Sequence, residues 1–230
     1  MYFRHSDDIW RDYPELAAGV IAAEGITADV SVDQRIEPYL ARASAQLAEG
    51  PESDLPEIRA WRRAFARMGL KPTQYRCASE ALLRRYRKEG MLPRIHPLID
   101  LCNAISLAFA IPVAAIDTSR IGEGIEVRYA RGDESYLTFS GDTETPPAGE
   151  VIFADADGRA HARRWTNRQS GHSAVSPSTT SVVIVAEAMH ETASADVGEL
   201  VAAVENELRS IWSIEPRTGM LTATSPQFEF

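Results

Sequence analysis

Apolar residues recur at three- and four-residue steps through most of the first half of the chain, and at alternate positions through much of the second. Ile36, Leu40 and Leu47 mark one stripe, which predicts a helix over 33–49, followed by the loop GPESDLP. Ile58, Trp61, Phe65 and Met68 mark another, a helix over 55–68 with Gly69 as C-cap and Pro72 beyond it. A short helix over 79–88 stops at Gly90. PLIDLCNAISLAFA, residues 97–110, is apolar nearly all round and reads as a buried helix, so Asp100 and Asn103 need partners there.

From Ile111 the period changes. Ile125, Val127 and Tyr129 alternate with Glu126 and Arg128, the pattern of a half-buried strand. Residues 136–139 and 151–154 read as further strands, and Asp155-Ala156-Asp157-Gly158 as a hairpin turn into a strand over 159–165. SVVIVAEA, residues 181–188, is strongly β-prone and expected at the centre of a sheet. A last helix over 195–213 carries Val197, Leu200, Val201, Val204 and Leu208 on one face, and a tail strand is expected over 220–224. Helices first and mostly antiparallel strands later predict an α+β fold, a helical N-terminal half packed on a sheet-rich core. The 230 residues are read as one domain, with a helical part over 1–95, a core over 97–189 and a C-terminal helix and tail strand over 195–230.

Composition narrows the class of function. With 44% hydrophobic and 25% charged residues the chain is globular. No apolar run approaches the roughly 20 residues of a membrane span, and the first residues, MYFRHSDDIW, are polar; no membrane partner is expected. Cys77 and Cys102 have no metal or redox spacing, which suits a reducing cytoplasm. The histidines at 5, 96, 161, 172 and 190 form no i,i+4 pairs with acids or cysteines, so neither a metal nor another cofactor is expected.

A net charge of −9 argues against a nucleic-acid partner, but its distribution does not. Residues 59–94 hold eleven Lys/Arg against Glu80 and Glu89. Arg62, Arg63, Arg84 and Arg85 are the candidate RNA contacts there, and solvated helix faces are the competing reading.

Four stretches carry a resemblance. PLIDLCNAISLAFAIPVAAID (97–117), GEGIEVRYARGDE (122–134), GEVIFADADG (149–158) and TTSVVIVAEA (179–188) are similar, in order and gap, to the B3/B4 domain of the bacterial phenylalanyl-tRNA synthetase β subunit. AWRRAFARMG (60–69) and Arg163–Gln169 resemble stand-alone B3/B4 proteins. The resemblance implies a mixed module with a pocket for the 3′ end of a tRNA and its amino acid. In the synthetase the domain hydrolyses mischarged tyrosine with a held water rather than a protein nucleophile.

Carried across residue by residue, Glu187 matches the glutamate that recognises the hydroxyl of the wrong amino acid. Asn103 matches an asparagine on the buried helix, and with Glu187 is expected to face one cavity; Cys102 stands where the synthetases often have threonine. Asp100 is read as a structural partner of an arginine. The histidine of the family's Pro-x-His-x-x-Asp is replaced by Ala114, which puts tyrosine editing in doubt; His172 is a candidate substitute. Arg168, Gln169 and Gly171 fall in the loop before the glutamate strand, where they would meet a terminal phosphate or the substrate's carbonyl. Alternation along 159–165 places Trp165 on the row of Arg159, His161 and Arg163, with Arg164 on the other side; Trp165 would stack on the terminal adenine or cover a sheet edge, and Arg164 is a further candidate substrate contact.

Three readings remain open. One is a trans-acting deacylase of mischarged aminoacyl-tRNA. The second is a non-catalytic module binding tRNA, an amino acid or a nucleotide. The third is a hydrolase of small esters or amides. An Asp/His/Ser triad has no nucleophile-elbow motif to support it, and the oligomeric state is left open.

Overall fold

The computed structural model describes residues 1–230. In chain order the elements are β1 (Tyr2–His5), α1 (Asp7–Asp12), β2 (Ala17–Glu24), α2 (Asp33–Glu49), α3 (Pro56–Arg67), α4 (Ala78–Glu89) and α5 (Pro97–Phe109). They continue with β3 (Val113–Asp117), β4 (Gly124–Tyr129), β5 (Tyr136–Leu137), β6 (Thr143–Glu144), β7 (Val151–Asp155), β8 (Ala160–Arg163) and β9 (Arg168–Gln169). The last four are β10 (Ser181–Ala188), α6 (Ala193–Trp212), β11 (Arg217–Leu221) and β12 (Gln227–Glu229).

Two sheets form the α+β core. One has the order β12-β1-β4-β7-β8-β9, the other β11-β2-β10-β3, and β5-β6 is a separate two-stranded ribbon. Every pairing is antiparallel except β1 with β4. Strand alternation divides the apolar residues between two layers. Val20, Ile116, Val183 and Val185 face the other sheet, meeting Phe3, Val127, Phe153 and Ala162. Ile21, Ala115, Ile184 and Ala186 face the opposite way, onto Leu101, Ile105 and Cys102 of α5 and Leu200 and Val204 of α6. Gly19 permits the close approach of α6, because a Cβ there would lie 2.4 Å from Val201 Cγ2.

The helices over 33–49 and 97–109, the central strand over 181–188 and the glycine stops at Gly69 and Gly90, both at positive φ, follow the sequence pattern. The expectation that 1–95 is a helical part needs correction. Its first 24 residues supply β1 and β2, and β2 lies between β10 and β11 near the middle of its sheet. Buried on both faces, β2 (AAGVIAAE) has an apolar run without alternation, so its period does not distinguish strand from helix. The tail strand falls at Arg217–Leu221 rather than 220–224, and a further strand, β12, closes the chain beside β1.

Candidate functional site

Glu187 is the second-last residue of β10 and shares its parity with Val183 and Val185, so its side chain enters the layer between the sheets. Only 2% of it is exposed. A carboxylate in that position must be hydrogen-bonded, and two aromatic N–H groups meet it. His5 Nε2 lies 2.6 Å from Oε1, and Trp165 Nε1 donates to the same oxygen over 2.9 Å. Trp61 Nε1 donates to the Glu187 backbone carbonyl over 3.3 Å. Trp165 is wedged edge-on between Tyr13 and Trp61, with ring centroids at 4.8 and 5.2 Å.

Trp165 reaches this place by leaving the strand. Alternation alone would put it beside His161 and Arg163, on the outer face where the Arg163 guanidinium lies over Tyr136. Instead Arg164 and Trp165 both take left-handed backbone (φ 47° and 60°), which swings the indole inward. The turn is held by Glu150, which accepts from the Arg164 amide and binds Arg163, and by the Trp165 amide on the Val151 carbonyl. Stacking of Trp165 on an exposed adenine is therefore not its role, since the ring is fully buried. Arg164 packs its guanidinium over Tyr75 instead.

A cavity of about 410 Å³, counting its open mouth, lies against Glu187. Its wall is mainly apolar, with Phe153, Val185, Ala162 and Ala114 among the contributors, and Asn167, Arg168 and Gln169 are its polar lining on the β9 side. Thr166 lines it too, and its hydroxyl is buried without a hydrogen-bond partner. No protein donor reaches Glu187 Oε2. Arg168 is shared with Glu144, and Gln169 donates to the Ala115 carbonyl over 2.8 Å. Gly171 stands apart from the cavity, where a Cβ would lie 3.0 Å from the Thr138 carbonyl oxygen.

The expected meeting of Asn103 and Glu187 does not occur. Asn103 turns toward α2 and lines a separate cleft with Ile36, Leu40, Arg94 and Asp100. Helix α5 packs on the far face of the β10 sheet, so the sheet itself intervenes. Cys102 is core on that same far side, and burial pushes its thiol up to about 12, which leaves no thiolate to act. Asp100 accepts from the Ile95 amide and pairs with Arg94. His172 packs against His161 outside the Glu187 cavity, and burial lowers its pKa.

Three further groupings are structural. Asp155, His161 and Ser173 do come together, with Ser173 Oγ 2.7 Å from His161 Nδ1 and Asp155 Oδ2 3.1 Å from Nε2. His161 and Ser173 are fully buried, so the hydroxyl is closed to any substrate. Glu57, His190 and Asp196 hold ligand-type atoms within 4.8 Å of one another, but Asp196 already accepts from His190 and Thr192 at the start of α6. In the basic segment Arg62 grips Glu80 through two nitrogens, Arg84 and Arg87 share Glu52, and Arg85 pairs with Glu89. Arg63 is exposed and makes no ion pair. The positive charge of 59–94 is thus partly cancelled, by Glu52 and others that approach only in the fold.

Residues 60–202, more than half of the chain, match the family model described as "B3/4 domain". The chain belongs to the B3/4 domain family. Within this family it is similar to phenylalanine–tRNA ligase β subunits, being 45% identical to that of Coxiella burnetii over 60 residues, 26% of this chain and 7% of the other. It is 23% identical to that of Haemophilus influenzae over 141 residues, 61% of this chain and 17% of the other. The chain therefore corresponds to a small part of the length of these relatives. An N-terminal fragment of the phenylalanyl-tRNA synthetase β subunit from Pyrococcus horikoshii shares the fold, with a TM-score of 0.51 at 10% identity, over 94% of this chain and 50% of that one.

Two polar residues carry no signal in the sequence that points to the site: His5, which contacts Glu187, and Thr166, which lines the cavity. Thr166 sits inside the 163–169 stretch and carries no motif of its own. His5 lies 182 residues from Glu187 and outside the B3/4 match, so no local signal points to it.

Proposed function

We propose that this B3/4 domain protein receives an amino acid carried on the 3′ end of a tRNA, with the amino-acid side chain in the Glu187 cavity. The observation that carries this reading is a buried carboxylate whose two protein donors both take Oε1, while Oε2 is left to the cavity. Glu187 lines the cavity and its Oε2 has no protein donor, so the site favours a ligand that brings a hydroxyl or N–H to it. The unpartnered Thr166 hydroxyl offers a second polar contact, and Arg168 at the β9 side of the lining offers a cation to a phosphate or carbonyl. Apolar walls of Phe153, Val185 and Ala162 suit the rest of an aromatic or aliphatic side chain.

Recognition is better supported than hydrolysis. The cavity lining contains no Ser, Cys, Lys or His, and no general base stands beside the Thr166 hydroxyl to activate it, so deacylation there would rely on a bound water. A panel of mischarged aminoacyl-tRNAs, assayed for both binding and amino-acid release, tests the reading. Binding without release supports a module that senses or sequesters aminoacyl-tRNA; release supports a trans-acting deacylase. Absence of both, for every tRNA in the panel, overturns the proposal.

A further inference from the structure

Strand β1 brings His5 to Glu187 from the far end of the chain, and this contact is built with unusual economy. The His5 ring packs edge-on against Phe3 and Trp10, with centroids at 5.4 and 5.1 Å. It is fully buried, its Nδ1 has no partner, and its one polar contact is Glu187 Oε1. A buried imidazole that leaves a ring nitrogen unsatisfied is costly. The fold places it beneath the cavity carboxylate nonetheless, rather than an apolar side chain of similar shape.

Its effect on Glu187 follows from geometry. A glutamate side chain alone rotates its two oxygens freely between equivalent positions. Here His5 and Trp165 approach the same oxygen from different elements, one from β1 and one from the left-handed turn after β8. Two converging donors fix the carboxylate plane and leave Oε2 as the acceptor for whatever occupies the cavity. We infer that His5 is a positioning and specificity-determining residue: it pins Oε1 so that Oε2 reads a single hydrogen-bond donor on the ligand.

The inference rests on the proposed recognition site and extends it beyond the B3/4 match at residues 60–202, because both β1 and β2 come from outside that segment. The recognition surface would thus depend on a strand that pairs in parallel with β4 and antiparallel with β12. A pinned acceptor discriminates between ligands that differ by one hydroxyl, since the ligand lacking it leaves the carboxylate oxygen unpaired. An unpinned one can turn toward solvent or another donor and loses that discrimination.

The test uses the full chain and the non-hydrolysable 3′-amides of adenosine with tyrosine and with phenylalanine, followed by calorimetry. The wild type should favour the tyrosyl compound. His5→Leu should lower that preference at least tenfold, almost wholly through weaker tyrosyl binding, with phenylalanyl binding changed less than about twofold. His5→Gln, which can still present an N–H, should recover part of the preference. An unchanged ratio in folded His5→Leu overturns the inference. If the wild type binds neither compound, recognition of these two amino acids falls instead, and a second measurement decides the positioning role. In ¹⁵N spectra of the intact chain, Glu187→Gln should shift both the His5 imidazole and the Trp165 indole resonances. Silence of the His5 resonance in that variant overturns the inference whatever the ligand results.

Discussion

The Trp165 indole and the His5 imidazole converge on one oxygen of Glu187, at 2.9 and 2.6 Å, from strands at opposite ends of the sequence. The carboxylate is thereby both a packing element of the inter-sheet layer and the polar floor of a cavity. Trp165→Phe keeps most of the ring volume and removes the donor. It should cost about 1–2 kcal/mol in urea denaturation, with the m-value unchanged.

Thr166→Val separates the two roles of the cavity wall. Its hydroxyl has no partner, so replacement by a methyl group should leave stability unchanged or raise it by up to about 1 kcal/mol. If the hydroxyl contacts a ligand, the same variant should bind aminoacyl-adenosine amides several-fold more weakly. Thermal unfolding and calorimetry on one preparation check both halves.

The basic segment divides into structural and available cations. Arg62 holds the buried Glu80, so Arg62→Glu places two carboxylates together and should cost about 3 kcal/mol or more. Arg63 is exposed with no ion pair, so Arg63→Glu should leave the melting temperature within about 1 °C. If tRNA contacts this face, Arg63→Glu should weaken binding and flatten its salt dependence. Filter binding across a salt series reads the difference.

Acid should weaken the fold through the β4–β8 region. Burial pushes the Glu134 carboxyl up, but the amides of Arg131 and Gly132 and the Arg128 guanidinium outweigh it and hold it at about 2, below the usual 4.5. Asp155 is lowered in the same way, burial being outweighed chiefly by His161 and the Arg159 amide. A carboxyl depressed on folding contributes stability that is fully present above the unfolded value and disappears as pH falls toward the folded one. Stability should therefore decline from about pH 4.5 down to about 2, and Glu134→Gln should remove on the order of 2 kcal/mol of that dependence. Urea titrations at several pH values measure it.

The amphipathic helices α2 and α3 were legible from their hydrophobic period, and α5 and β10 from the length and β-propensity of their continuous apolar runs. The same sequence identified Glu187, Arg168 and Gln169, all of which line one cavity. It could not place Asn103, because a helix that is apolar nearly all round does not declare which face meets the sheet. Trp165 escaped for a different reason: two left-handed residues break the alternation from which its direction was read.

The sequence by itself determined the family, the α+β class and the acidic residue at the end of β10, since motifs and periodicities are properties of short stretches. Only the tertiary structure decided which groups surround that residue. His5, Trp61 and Trp165 reach Glu187 across separations of 182, 126 and 22 residues, and Glu52 meets Arg84 and Arg87 through helix packing. Such encounters depend on sheet pairing and on the turn after β8, and no local pattern encodes where distant strands will lie.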